Sequence, residues 1–179
     1  MSNRIYISEK NIPTEVFNND FIFDTNVWLS IYGLTTDNSN PQTRIYSNLY
    51  KLLLQNEKRI FLLGTITSEY IHRSLKLRYD TDSTVNRNIK IHQQTNYKSW
   101  IKEIADEVSY LVDDCIQLDD GFAQSNPEEM CRTCMEKTID YNDLIISDAC
   151  RKNSITLVTD DRDFSCENIN IVTRNKKLT

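Results

Sequence analysis

The chain of 179 residues contains only three glycines, three prolines and two histidines, and each scarcity removes a class of function. Gly33, Gly64 and Gly121 are scattered, so there is no glycine-rich loop of the kind that cradles nucleotide phosphates. No stretch approaches the roughly 18 consecutive apolar residues of a membrane-spanning helix. The opening Met-Ser-Asn-Arg-Ile-Tyr-Ile-Ser-Glu-Lys has no apolar segment that would serve as an export signal. A cytoplasmic protein with no membrane association is expected. Five cysteines, an odd number, read as reduced thiols. Cys131 and Cys134 form a Cys-x-x-Cys, but it lies in a helical stretch with no second pair to complete zinc ligation. The formal charge of −5 argues against a globally basic nucleic-acid binder, although an acidic site and a local basic surface can share one chain.

The length suits one domain with a single core. We expect residues 1–179 to form one domain, with its core at about 21–172. Phe21-Ile22-Phe23, after the turn signal Asn18-Asn19-Asp20, reads as a short buried strand, and Thr25 opens a helix. A polar loop over 35–42 precedes a helix over 44–55, in which Ile45, Leu49, Leu52 and Leu53 recur at helical spacing. Ile60-Phe61-Leu62-Leu63 is a second buried strand, which makes the preceding helix a crossover into a parallel sheet. Thr67 or Ser68 then caps a helix with Glu69 in its first turn and a stripe of Tyr70, Ile71, Leu75 and Tyr79. Residues 80–98 lose the apolar pattern and read as an exposed, partly helical insertion. An amphipathic helix follows from Trp100 to Val112, then a short edge strand at 115–118, a loop over 121–127 and a helix over 127–137. A helix from Asp143 to Cys150, a strand at 155–159 and a last strand at 169–172 complete the order, with the Lys176-Lys177 tail expected to fray.

In this arrangement Asp24, Glu69 and Asp161 each follow a strand, and Asp143 begins a helix leading into another. Ligands of open parallel sheets bind outside the carboxyl ends of the strands, so four acids from distant segments are expected on one rim. Each like-charge pair at about 4 Å would cost on the order of 4 kcal/mol at an effective dielectric of about 20. A divalent cation removes that cost, and an oxygen-only donor set suits magnesium or manganese. Taken singly, an Asp after a strand is more often a helix cap than a ligand. The set of four carries the argument.

Phe-Asp-Thr-Asn-Val-Trp-Leu (23–29), Thr-Ser-Glu-Tyr (67–70), Asp-Leu-Ile-Ile-Ser-Asp-Ala (143–149) and Leu-Val-Thr-Asp-Asp-Arg-Asp-Phe (157–164) together resemble the acidic motifs of the PIN-domain family. Many members of that family are metal-dependent ribonucleases, including VapC-type toxins of toxin-antitoxin pairs. The resemblance implies a three-layer α/β/α sandwich with a central, mainly parallel sheet, here with a helical insertion in the middle. It implies Mg2+ or Mn2+ held by Asp24, Glu69, Asp143 and Asp161, with Asp163 as a further ligand and Asp160 solvated. Thr25 and Asn26 fall on the small polar positions beside the first acid, and Thr159 on the hydroxyl that orients the last. Asp140, one turn before Asp143, either reaches the rim or caps the helix. Asp148 is directed elsewhere.

Residues 70–102 carry Arg73, Lys76, Arg78, Arg87, Lys90, Lys98 and Lys102 against Asp80 and Asp82. Of these, Arg73, Lys76, Arg78, Arg87 and Lys90 are candidate contacts to an RNA backbone, with His72, His92, Tyr79, Tyr97 and Trp100 interleaved where bases could stack. The bland alternative is a solvated helix face with core aromatics. Residues 103–143 reverse the balance, with twelve acidic residues against Arg132 and Lys137, a surface that repels nucleic acid or receives a basic partner. The expected function is a ribonuclease acting on single-stranded or loop RNA, with an antitoxin protein as partner if the toxin role applies and a homodimer left open. The competing reading is a non-catalytic PIN-like module that binds RNA or protein. A phosphotransferase of the haloacid-dehalogenase type is disfavoured, because Asp24-Thr25-Asn26 lacks the second Asp of its Asp-x-Asp signature.

Overall fold

A computed structural model describes residues 2–34 and 36–178. Among these residues, six strands form one sheet: β1 (Arg4–Tyr6), β2 (Phe21–Phe23), β3 (Ile60–Leu63), β4 (Ile116–Leu118), β5 (Thr156–Val158) and β6 (Ile171–Thr173). Their order is β1-β6-β5-β2-β3-β4, and every pairing is parallel. Six α-helices among the described residues connect them: α1 (Thr25–Tyr32), α2 (Pro41–Gln55), α3 (Gly64–Thr81), α4 (Tyr97–Asp114), α5 (Pro127–Lys137) and α6 (Tyr141–Asn153). The architecture is the three-layer α/β/α, PIN-like fold expected from the sequence.

Parallel strands buried on both faces read as continuous apolar runs, and β2, β5 and β6 are buried throughout. From β2 the chain steps to β3 and then to β4 on one side. It then returns to β5 and proceeds to β6 on the other. Right-handed crossovers therefore place α1 to α4 over one face and α5 and α6 over the other, in keeping with the packing of α1 on α2 and α3, of α3 on α4, and of α5 on α6. The switch in direction falls between β2 and β5, where a doubly wound sheet opens a crevice at its carboxyl edge. Gly33 ends α1 because a Cβ there would lie 2.5 Å from the Leu29 carbonyl oxygen.

Several expectations need correction. The sheet contains β1, which lies outside the core expected at 21–172. Arg4 anchors that strand by donating to the carbonyls of Ser165, Glu167 and Leu178. The tail does not fray: Leu178 is 2% exposed, and Lys176 lies over the Tyr6 ring. Helix α3 starts at Gly64, directly after β3, so Glu69 lies in its second turn and Thr67 back-bonds to the Leu63 carbonyl instead of capping. Its buried stripe is Ile66, Tyr70, Ser74 and Arg78, a strict i, i+4 row. The insertion after α3 is mostly irregular, with a single 3-10 turn at Ile91–Gln93.

The burial of Arg78 explains how α3 is fastened to α4. Its guanidinium is 4% exposed and pairs with Glu107 at 2.5 Å and Glu103 at 3.2 Å. Tyr70 donates to the second oxygen of Glu107. Removing one partner of a buried pair leaves the other charge uncompensated. Glu107→Ala is expected to cost about 3 kcal/mol by urea denaturation, whereas Glu103→Ala, at a half-exposed carboxylate, should cost under about 1 kcal/mol.

Candidate active site

Asp24 stands one residue beyond β2, with its own amide bonded to the Val158 carbonyl of β5. It occupies the N-cap position of α1 but makes no capping bond. Instead Oδ2 accepts a 2.8 Å bond from the Thr159 hydroxyl and a longer one from Asn26 Nδ2. The cap reading therefore fails for Asp24: its side chain turns inward, 4% exposed, across the β2/β5 seam.

The Thr159 hydroxyl also accepts from the Asp161 amide, and Asp161 in turn accepts from the Asp163 amide as it opens the 3-10 turn Arg162–Cys166. Side chains alternate along extended chain, so Thr159 and Asp161 share one side while Asp160 takes the other. Asp160 is not solvated, which corrects the expectation. It accepts from the Tyr46 hydroxyl at 2.6 Å, the Thr173 hydroxyl and the Arg174 amide, and it lies 2.7 Å from Arg174 Nε.

Glu69 reaches the same rim from α3. Its Oε2 accepts from the Thr25 hydroxyl at 2.9 Å, and its Oε1 pairs with Arg73 at 3.3 Å. Asp140 is the N-cap of α6, accepting from the Asn142 amide. Asp143 sits in the first turn of α6, and its carboxylate accepts no hydrogen bond among the described residues. Asp148 pairs with Arg151, away from the rim.

The acids feel one another. Burial, reinforced by Glu69 and Asp161, lifts Asp24 to about 6 even though Thr159 and Asn26 favour its charged form. Burial, and then the charges of Asp24, Asp161, Asp140 and Asp163, lift Asp143 to about 7. The five residues named from sequence as metal ligands thus share one electrostatic field. They do not form a closed shell: among the described residues no three His, Cys, Asp or Glu side chains are gathered at metal-holding distance, and Glu69 is drawn aside by Thr25 and Arg73. The donor chemistry fits a hard divalent cation, since every candidate ligand is an oxygen, and the raised Asp24 and Asp143 are what uncompensated carboxylates show.

The basic candidates separate. Arg73 and Lys76 face a cavity of about 430 Å³ beside Asn26. Lys76 also pairs with Asp80, and Arg87 lies over the Tyr79 ring. Lys90 is exposed. Arg78 is corrected to a structural role, because its charge is spent on Glu103 and Glu107, and Trp100, at 6% exposed, belongs to the packing of α4. Sequence reasoning missed Gln42, Arg162, Arg174 and Asn175, which line a second cavity of about 410 Å³ with Asn26 and Asp161. It also missed Asn142, which shares a third cavity with Glu69 and His72. Arg162, inside the last acidic motif, was the one signal available.

Both raised carboxyls hold their protons more tightly in the folded than in the unfolded chain, where the ordinary value is 3.8. The resulting stabilisation is complete below that value and is lost as the pH rises through about 6 and about 7. In EDTA, wild-type stability should therefore fall relative to Asp24→Asn by on the order of 3 kcal/mol between acid and mildly alkaline pH. Urea unfolding across that range checks it, and a pH-independent difference would show that Asp24 carries no such burden.

No protein-family model matches the chain, and no curated protein matches it in sequence. Among solved structures it is similar to a chain of VapBC2 from Rickettsia felis, in a crystal structure bound to a DNA fragment from their promoter. The TM-score is 0.56 at 15% identity, covering 86% of this chain and 97% of that one. It is also similar to PAE2754 from Pyrobaculum aerophilum, with a TM-score of 0.52 at 11% identity, over 89% of this chain and 87% of that one. At these identities the likeness establishes a shared fold.

Proposed function

We propose that the chain is a magnesium- or manganese-dependent endoribonuclease that hydrolyses phosphodiester bonds of single-stranded or looped RNA. The observation that carries this reading is the buried Asp24 at the switch point of the sheet, in one field with Asp143, Asp161 and Glu69. A fold gains nothing in stability from gathering these charges. Asp24, Asp143 and Asp161 would hold the cation, with Glu69 and Asp163 beside them. When bound, the cation would polarise the phosphodiester and make water a competent nucleophile near neutral pH.

The protein's own groups supply orientation. Thr159 fixes Asp24 and the turn that carries Asp161, and Thr25 holds Glu69. Asn26 lies at the lip between the two basic cavities, and Arg73 and Lys76 offer charge to the RNA backbone. The water oxygen bonds to phosphorus as the opposite phosphorus–oxygen bond breaks, and the proton lost by the water balances the charge on the departing ribose oxygen. No side chain serves as covalent nucleophile. The structural similarity to VapBC2 favours a toxin whose partner is an antitoxin protein.

A second reading has its own observation. Glu69 is committed to Arg73 and Thr25, and no acid triad is closed among the described residues, as in a non-catalytic RNA- or protein-binding module of the same fold. Incubation of the purified protein with single-stranded RNA separates the two. Cleavage is expected with manganese, none in EDTA, and a loss on the order of 100-fold or more in Asp24→Asn. Cleavage that persists in EDTA or in Asp24→Asn would sink the metal mechanism, and RNA that is bound but uncut under every condition would favour the module.

A further inference from the structure

We infer that the cavity beside Asp161, built around Arg174 and Arg162, is a backbone-phosphate subsite for the single-stranded nucleic acid. This deepens the ribonuclease reading and rests on it for the position of the scissile bond. The cavity holds about 410 Å³ and opens onto Asn26 and Asp161, so a group seated in it abuts the acids. A carboxylate rim repels phosphate, and a strand can lie there only if cations flank the rim.

Arg174 is built for that task. Its Nη2 donates to Gln42 Oε1 at 2.8 Å, and its Nε lies against Asp160. Nη1 has no hydrogen-bond partner among the described residues. Asp160 is itself fixed by the hydroxyls of Tyr46, which is fully buried, and Thr173. The guanidinium is therefore oriented in advance with one edge open, the condition under which Arg grips a phosphate without losing further side-chain freedom. Asp160 is a positioning residue that acts through Arg174. Arg162 supplies the second charge: it is exposed and makes no ion pair among the described residues.

The cavity of Arg73 and Lys76 lies across a ridge formed by Asn26 and Gln42, which line both cavities. A strand crossing this ridge places one phosphate in each cavity, with the phosphodiester between them at Asn26, whose side-chain amide is bonded to Asp24. The path thus runs from α3 toward the segment that follows β6.

The experiment measures fluorescence anisotropy of a labelled single-stranded RNA on the full chain in EDTA, so that binding is read without cleavage. Arg174→Gln and Arg162→Gln should each weaken binding on the order of tenfold and lower the slope of log K against log salt by about 0.7, the value for one phosphate contact on a single strand. Arg132→Gln, on the remote α5, should change neither. Arg162 has no partner to lose, so its variant tests the subsite even if Arg174→Gln proves poorly folded. Wild-type affinity and slope in Arg162→Gln, and in Arg174→Gln wherever that variant unfolds like wild type, would overturn the subsite. Inorganic phosphate that competes only at the concentration expected from ionic strength supports a strand-specific site, whereas stoichiometric phosphate binding lost in Arg162→Gln would replace it with a site for the free anion. Weakened binding by these variants in a protein that never cleaves RNA would leave the subsite standing while the ribonuclease reading falls.

Discussion

The hydrogen bond from Thr159 to Asp24 spans the seam where the sheet reverses its winding, and the candidate site is arranged around it. Asp24 follows β2 and Thr159 follows β5, so one contact of 2.8 Å joins the two halves of the fold at their carboxyl edge. The same hydroxyl receives the Asp161 amide, which sets the direction of the chain as it leaves the sheet. A carboxylate this deeply buried is unfavourable alone. Its two side-chain donors offset only part of the burial, and Asp24 still rises to about 6. The fold tolerates this because the surrounding core is already close-packed: Phe21, Ile22, Phe23, Leu157 and Val158 are all fully buried.

Ion pairs elsewhere do different work. Glu167, with a side chain fully buried, takes Lys137 of α5 and Arg151 of α6, while Arg78 takes two acids of α4. Each set closes a helix pair on one face of the sheet, and in each every carboxylate has a cation within reach. At the carboxyl edge, by contrast, Asp24 and Asp143 lie among further carboxylates and make no ion pair among the described residues. That asymmetry separates a structural network from a candidate site, and it follows from pairing and not from the count of charged residues.

Much of the architecture was legible because short parallel strands buried on both faces leave uninterrupted apolar runs, as in 21–23 and 60–63, and because Asp24, Glu69 and Asp161 each followed such a run. β1 was not legible, since three residues with only Ile5 buried give too weak a pattern, and the strand forms only once β6 is present to receive it. The sign of a residue's charge did not reveal its face. Arg73 and Arg78 lie five positions apart on α3, about 140° around the helix, so one looks toward Glu69 and the other is buried against α4. A charge sum over 70–102 treats them alike. Arg174 and Gln42 carried no signal, because they meet only when α2 and the segment after β6 are packed together, 132 positions apart in sequence.

A protein of net charge −5 can hold a polyanion only through local fields, and those fields must act within about a Debye length of 8 Å at physiological ionic strength. Arg73 and Lys76 on one side of Asn26, with Arg162 and Arg174 on the other, supply such a local field, whereas the acidic surface of α4 and α5 does not. Arg73 adds a coupling. It is the cation that balances Glu69, so a phosphate drawing Arg73 toward itself leaves Glu69 less compensated and closer in character to Asp24 and Asp143. Within the proposed reaction, seating the strand and completing the acidic field are then one event.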